Sequence, residues 1–215
     1  MNNFPYTPAS KTSLSKRKPI FGVGINDSDY ITQTKINGKL AQCPYYRAWT
    51  GILVRCYSFK YHKRQPTYIG CSVVDDWLTF SIFKSWMEKH DWQGKQLDKD
   101  LLTIGNKVYS PETCVFVDRH TNSLLSDSAA IRGDYPQGVC FQKKAGKYQA
   151  TISINGKSNH LGLFTSPETA ESAYKKAKAG EIERVAYLQT DFRITEALLL
   201  RADRLINSIN HAKTQ

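Results

Sequence analysis

Tyr148-Gln149-Ala150-Thr151-Ile152-Ser153-Ile154-Asn155-Gly156 alternates apolar and polar residues with period two and then turns. On a strand, Tyr148, Ala150, Ile152 and Ile154 share one face, and Gln149, Thr151 and Ser153 share the other. Asn155-Gly156 is a strong hairpin signal, because both residues tolerate positive φ. The chain therefore returns as a strand from Ser158 to Phe164. Upstream, Val139 and Phe141 alternate with Cys140 and Gln142, and Lys143 to Gly146 supplies the intervening turn. Downstream, Ser166-Pro167-Glu168 starts a helix as cap, first-turn proline and first-turn acid. Its stripe of Ala170, Ala173, Tyr174 and Ala177 is small enough to lie close on a sheet. The pattern predicts three antiparallel strands packed on one helix.

Two segments flank this unit. Ile194 to Ile209 is amphipathic, with Leu198, Ala202, Leu205, Ile206 and Ile209 on one face. It has too few heptads for a coiled coil and is expected to pack back on a domain. Residues 126–137 are rich in Ser, Asp, Gly and Pro and read as a linker. Before it, Asn37-Gly38 predicts another hairpin. Residues 44–57 predict a helix with Trp49, Ile52, Leu53 and Cys56 on its buried stripe. A strand over 68–74 follows, then a helix capped by Asp75 or Asp76 and carrying Trp77, Phe80, Phe83 and Met87. Residues 96–102 read as a strand, Gly105 to Lys107 as a turn and Thr113 to Val117 as a strand. Asp118 then caps a short helix through Leu125. The divisions are a flexible basic arm (1–29), an N-terminal domain (30–125), the linker, a sheet domain (138–189) and a terminal helix (190–215). The fold class is α+β.

The 215 residues carry 30 Lys+Arg against 19 Asp+Glu, a formal net charge of +11. Residues 1–135 hold 18 basic and 12 acidic residues (+6), and residues 136–215 hold 12 and 7 (+5). A basic excess shared by both halves favours a polyanionic partner. No apolar run approaches the length that spans a bilayer, and the first residues lack a signal-peptide core. A soluble cytoplasmic protein is expected, with no membrane partner. The five cysteines are odd in number and contain no C-x-x-C pair, so reduced thiols are expected. A zinc site drawn from Cys43, Cys56, Cys71 and Cys114 has no knuckle spacing behind it, and buried thiols are preferred.

The outward face of the sheet offers Gln142, Gln149, Thr151, Ser153, Ser158 and His160, flanked by Lys143, Lys144, Lys147 and Lys157. Those side chains supply donors for base edges and charge for phosphates; a solvated sheet face has the same pattern. Gly138-Val139, Gly146-Lys147-Tyr148, Ala150, Ile152, Leu161-Gly162, Phe164 and Glu168 to Tyr174 resemble the apetala/ethylene-response-factor DNA-binding domain over about residues 136–187. The resemblance implies a sheet that enters the major groove of double-stranded DNA. The arginines and tryptophan of that family are replaced here by Cys140, Thr151, Ser153, Ser158 and His160, which implies looser base readout.

Leu97-Asp98-Lys99-Asp100, Gly105-Asn106, Tyr109 to Cys114 and Asn122 resemble the HNH (His-Me finger) endonucleases of bacteriophages and mobile introns, over about residues 40–125. The resemblance implies a helical lead-in and a ββα-metal unit, with Asp98 and Asn122 holding one Mg²⁺ or Mn²⁺ ion. Lys99 stands where that family has its catalytic histidine, and an ordinary lysine is protonated at neutral pH. The base is then a lysine depressed by burial, His120 or His90, or else hydrolysis is lost. The catalytic candidates are Asp98, Lys99, His120 and Asn122. An HNH unit joined to an apetala-type unit is a phage arrangement, which implies a bacterial host cytoplasm. The expectation is a metal-dependent DNA endonuclease. The alternatives are a non-catalytic DNA-binding protein on a degenerate HNH scaffold and a partner-binding inhibitor.

Overall fold

A computed structural model describes residues 4–126 and 133–212. The chain is mixed α+β and divides into two compact units, residues 1–116 and 117–215. The division precedes the 126–137 segment, so the helix after Asp118 groups with the second unit. Residues 127–132 of that segment lie outside the described residues.

In the first unit a short helix, α1 (Lys11–Ser15), precedes a hairpin of β1 (Gln33–Ile36) and β2 (Lys39–Gln42). Asn37 and Gly38 have φ of 51° and 74°, the two left-handed positions of the expected turn. Within the segment read as an arm, the Arg17 guanidinium donates to the carbonyls of Asn26, Ser28 and Tyr30. The predicted helix is α2 (Pro44–Tyr57), and Trp49, Ile52, Leu53 and Cys56 are its buried residues. It leads to α3 (Phe59–Arg64) and a 3-10 turn over Pro66–Tyr68.

The strand expected over 68–74 shrinks to β3 (Ser72–Val73), because Gly70 takes φ of 79° and breaks the extended run. The next helix also differs. Asp75 and Asp76 open a 3-10 turn (Asp75–Leu78), and α4 (Phe80–Met87) starts only after Thr79. Ile25 causes the break: its N–H donates to Leu78 O and its carbonyl accepts from Phe80 N, an isolated bridge to the chain at Thr79. The Asp27 carboxylate accepts from Ser81 N (2.9 Å), so a residue far away in sequence does the capping expected of Asp75 or Asp76.

The core of this unit joins α2 to α4. Trp49 lies tilted against Phe80 (5.4 Å), Trp77 meets Phe83 edge-on (5.0 Å), and Trp49 Nε1 donates to Trp77 O (2.7 Å). Such rings bury large areas, and the indole N–H needs this partner. The remaining ladders are small. β4 (Gln96–Asp98) pairs with β6 (Val115–Val117), and β5 (Val108–Tyr109) pairs in parallel with β3. The strand expected over 96–102 ends at Asp98, where the carboxylate captures the next backbone donors and turns the chain.

The second unit begins with α5 (Arg119–Leu125), whose cap is Asp118 as expected: its carboxylate accepts from Thr121 N (2.8 Å) and Oγ1 (2.7 Å). The sheet is β7 (Val139–Gln142), β8 (Lys147–Ile154) and β9 (Lys157–Phe164), antiparallel throughout. Asn155 and Gly156 repeat the left-handed pair, with φ of 52° and 76°. Ala150 and Ile152 are buried beneath α6 (Pro167–Ala186), whose cap is Ser166. Gly138 has φ of 75°, and a Cβ there would overlap the Tyr174 ring, so only glycine lets the chain enter the sheet this close to α6. Phe141, expected inside, is 39% exposed and instead leans edge-on against Tyr148. The last helix, α7 (Phe192–Ala212), packs against α6 and buries Ile194, Leu198, Ala202 and Ile209. Among the described residues no helix is long and apolar enough to cross a membrane.

Candidate functional site

Strand pairing settles which side chains share the open face of the sheet. Gln142 lies opposite Lys147, Cys140 opposite Gln149, Thr151 opposite His160 and Ser153 opposite Ser158. Cross-strand partners point to the same side. The six polar residues expected on one face are therefore on one face. Gln142 Nε2 reaches Gln149 Oε1 at 3.4 Å. Among the described residues no other hydrogen bond engages these six side chains.

A bulge at Ala150/Thr151 adds something that alternation alone misses. It sets Ala150 opposite Gly162 and Gln149 opposite Leu163, so Leu163 joins the open face and Phe164 returns beneath Tyr148. Leu163 is 44% exposed and sits beside Gln149 and Cys140, an apolar element in an otherwise polar surface. Lys143 and Lys144 lie in the exposed turn after β7. Lys157 pairs with Ile154, which puts it on the helix-side parity at the far hairpin tip.

The other candidates are engaged by their own chain. Asp98 Oδ1 accepts from Asp100 N (2.9 Å) and Leu101 N (2.7 Å). Burial raises its carboxyl above the usual aspartate range and the charge of Asp100 adds to that, while the two amide bonds pull the other way. Lys99 is 8% exposed and donates to Asp100 Oδ2 (3.2 Å) and to Asn106 O. Asn106 closes the loop, with Nδ2 donating to Lys99 O (2.6 Å) and Val108 O (2.7 Å), and Oδ1 accepting from Val108 N (3.1 Å). The Lys99 ammonium pairs with Asp100.

His120 Nε2 lies 2.9 Å from Glu181 Oε1, and Arg184 holds the same carboxylate through both oxygens. The Arg184 hydrogen bonds outweigh burial and hold Glu181 below the usual glutamate range. Nothing in the sequence pattern singled out Glu181. Its i,i+3 spacing to Arg184 is a local signal, but the contact with His120 spans 61 residues. His90 Nδ1 bonds Trp86 O (2.7 Å) and its ring lies 4.3 Å from the Trp86 ring. Asp98 belongs to the first unit, and Asn122 and His120 to the second.

Among the described residues no group of three or more His, Cys, Asp or Glu is placed to hold a metal. Cys43, Cys56, Cys71 and Cys114 are buried free thiols and Cys140 is exposed. Burial pushes Cys56 and Cys114 each up to about 12, which keeps them protonated and unreactive at neutral pH. Asp98 Oδ1 is committed as the acceptor that turns its own loop. No protein-family model, curated protein or solved structure matches the chain.

Proposed function

We propose that this protein binds double-stranded DNA through the open face of β7–β8–β9. One observation carries the reading: Gln142, Gln149, Thr151, Ser153, Ser158 and His160 share a face on which, among the described residues, a single long hydrogen bond is made, with Lys143, Lys144 and Lys147 along one end. A rigid ladder with free amides and hydroxyls can present donors and acceptors to base edges while lysines hold phosphates. The test is duplex binding measured across salt concentrations. Lys143→Ala, Lys144→Ala and Lys147→Ala together should weaken every sequence alike and lower the salt slope by about 2–3. Binding that is unchanged by this variant sinks the sheet-face assignment.

Metal-dependent phosphodiester hydrolysis is a second reading, favoured by the Asp98–Asp100 carboxylate pair, whose mutual repulsion a divalent cation would relieve. Mg²⁺ or Mn²⁺, hard cations suited to oxygen donors, would meet the carboxylates of that pair. Against it, Lys99, His90 and His120 all use ring or ammonium nitrogens to hold the fold. Incubation of plasmid with either metal, and with EDTA as control, separates the readings. Nicking that disappears in Asp98→Ala while binding persists establishes hydrolysis; intact plasmid under all conditions leaves binding alone.

A further inference from the structure

The sheet face does not account for where the charge lies. Residues 1–116 carry 16 Lys+Arg against 9 Asp+Glu (+7), and residues 117–215 carry 14 against 10 (+4). From Tyr30 to Val74 there are seven Lys or Arg residues and no Asp or Glu at all. Within that stretch the densest cluster is α3.

α3 is a firmly held element. Ser58 caps it by accepting from Tyr61 N, His62 Nε2 bonds Arg55 O of α2 (2.7 Å), and Tyr61 packs edge-on against Tyr68 (5.6 Å). With Tyr61 and His62 directed at neighbouring elements, Phe59, Lys60, Lys63 and Arg64 form the exposed side. Phe59 is 73% exposed, and Lys63 Nζ lies 4.8 Å from its ring centre. Arg64 lies over the Tyr61 ring (5.9 Å). Lys107 joins the cluster by donating to Thr67 O just beyond α3. Among the described residues no carboxylate pairs with Lys60, Lys63, Arg64 or Lys107.

Lys60 lies three and four residues before Lys63 and Arg64, a spacing that brings like charges together and destabilises a helix. Aromatic contacts fix Lys63 and Arg64 without neutralising them. A polyanion would convert that repulsion into attraction. Resting on the DNA reading above, we infer that α3, with Lys60, Lys63, Arg64 and Lys107, is a second nucleic-acid contact that grips the phosphodiester backbone without reading bases. A six-residue helix is too short to lie in a membrane interface as an amphipathic anchor.

The test uses the full chain carrying Lys60→Gln, Lys63→Gln and Arg64→Gln, beside a charge-conserving Lys60→Arg, Lys63→Arg, Arg64→Lys protein. The sheet-lysine variant is the reference. The glutamine variant should lower the salt slope of duplex binding by about 2–3, equally on unrelated sequences, and the charge-conserving one should not. If the sheet variant loses affinity and the glutamine variant does not, this site is wrong and the sheet assignment stands. Equal loss in the charge-conserving protein overturns the inference too, since charge would not be the cause. Phosphatidylserine vesicles released by the glutamine variant while DNA binding is unchanged would assign the surface to a membrane and overturn it. No binding by the unaltered protein overturns the DNA reading itself, and this site with it.

Discussion

The loop from Asp98 to Val108 and the sheet from Val139 to Phe164 contain similar polar groups and use them in opposite ways. In the loop, Asp98, Lys99 and Asn106 direct carboxylate, ammonium and amide atoms at backbone groups within ten residues. In the sheet, Gln149, Thr151, Ser153 and Ser158 point away from the protein, with one weak mutual bond near the β7 end. Backbone accounting explains the contrast. A ladder of eight-residue strands satisfies its own N–H and C=O groups and leaves side chains available. A segment whose ladders run two or three residues must recruit side chains for that task. A polar residue in such a loop is first a structural acceptor or donor.

The largest test of this contrast strikes the sheet where it meets α6. Gly138→Ala combines a left-handed φ with overlap of the Tyr174 ring, and should destabilise the second unit by about 2–4 kcal/mol. Urea unfolding reads this. A loss below about 1 kcal/mol would mean that the close approach to α6 is not required.

The loop is tested at Asp98. Asp98→Ala removes the acceptor for two amides and should cost about 1–3 kcal/mol, whereas Asp98→Asn keeps an oxygen there and should restore most of it. The pH dependence has a definite sign. A carboxyl raised in the folded state binds its proton more tightly there, so its contribution is present below the ordinary aspartate range. That contribution is lost as pH rises through the raised value. Asp98→Asn should therefore flatten this fall, and an asparagine variant as unstable as the alanine one would show that the charge itself matters.

On the sheet, Gln149→Ala should leave stability within about 0.5 kcal/mol, as for a substitution outside the backbone ladder. It should shift base preference by about 1 kcal/mol at one position, at the low end for a lost base contact. A stability loss above about 1 kcal/mol would place Gln149 with the loop residues rather than with the free face. Competition between duplexes that differ at single positions measures the preference.

The smallest effect is expected at the His120–Glu181–Arg184 cluster. Glu181 is held below its ordinary range, so its contribution is present above that range and fades as pH falls through the lowered value. Solvent screening limits the size to about 0.5 kcal/mol. Thermal melts of Glu181→Gln from pH 3 to 7 should show a shallower acid limb than the unaltered protein. An identical limb would remove the cluster as an acid-sensitive tie between α5 and α6.

The sequence alone determined the parts of this protein whose signals are local. Period-two alternation and Asn-Gly pairs specified both hairpins, and apolar stripes specified α2, α6 and α7. Asp118 and Ser166 specified where α5 and α6 begin, because a cap acts within three residues of itself. The polar face of β8 followed from the same alternation. Only the tertiary structure decided the rest. Ile25 splits the helix at Thr79 and Asp27 caps its remainder, and neither residue is near it in sequence. The bulge at Ala150 carries Leu163 onto the open face, since one extra residue reverses the parity that alternation assumes. Asp98 and Lys99 also support their loop, their side chains bonding backbone groups at Asp100, Leu101 and Asn106. Hydrogen-bonding capacity is a property of the residue, but whether any is left for a ligand depends on which backbone groups the fold has left unsatisfied nearby.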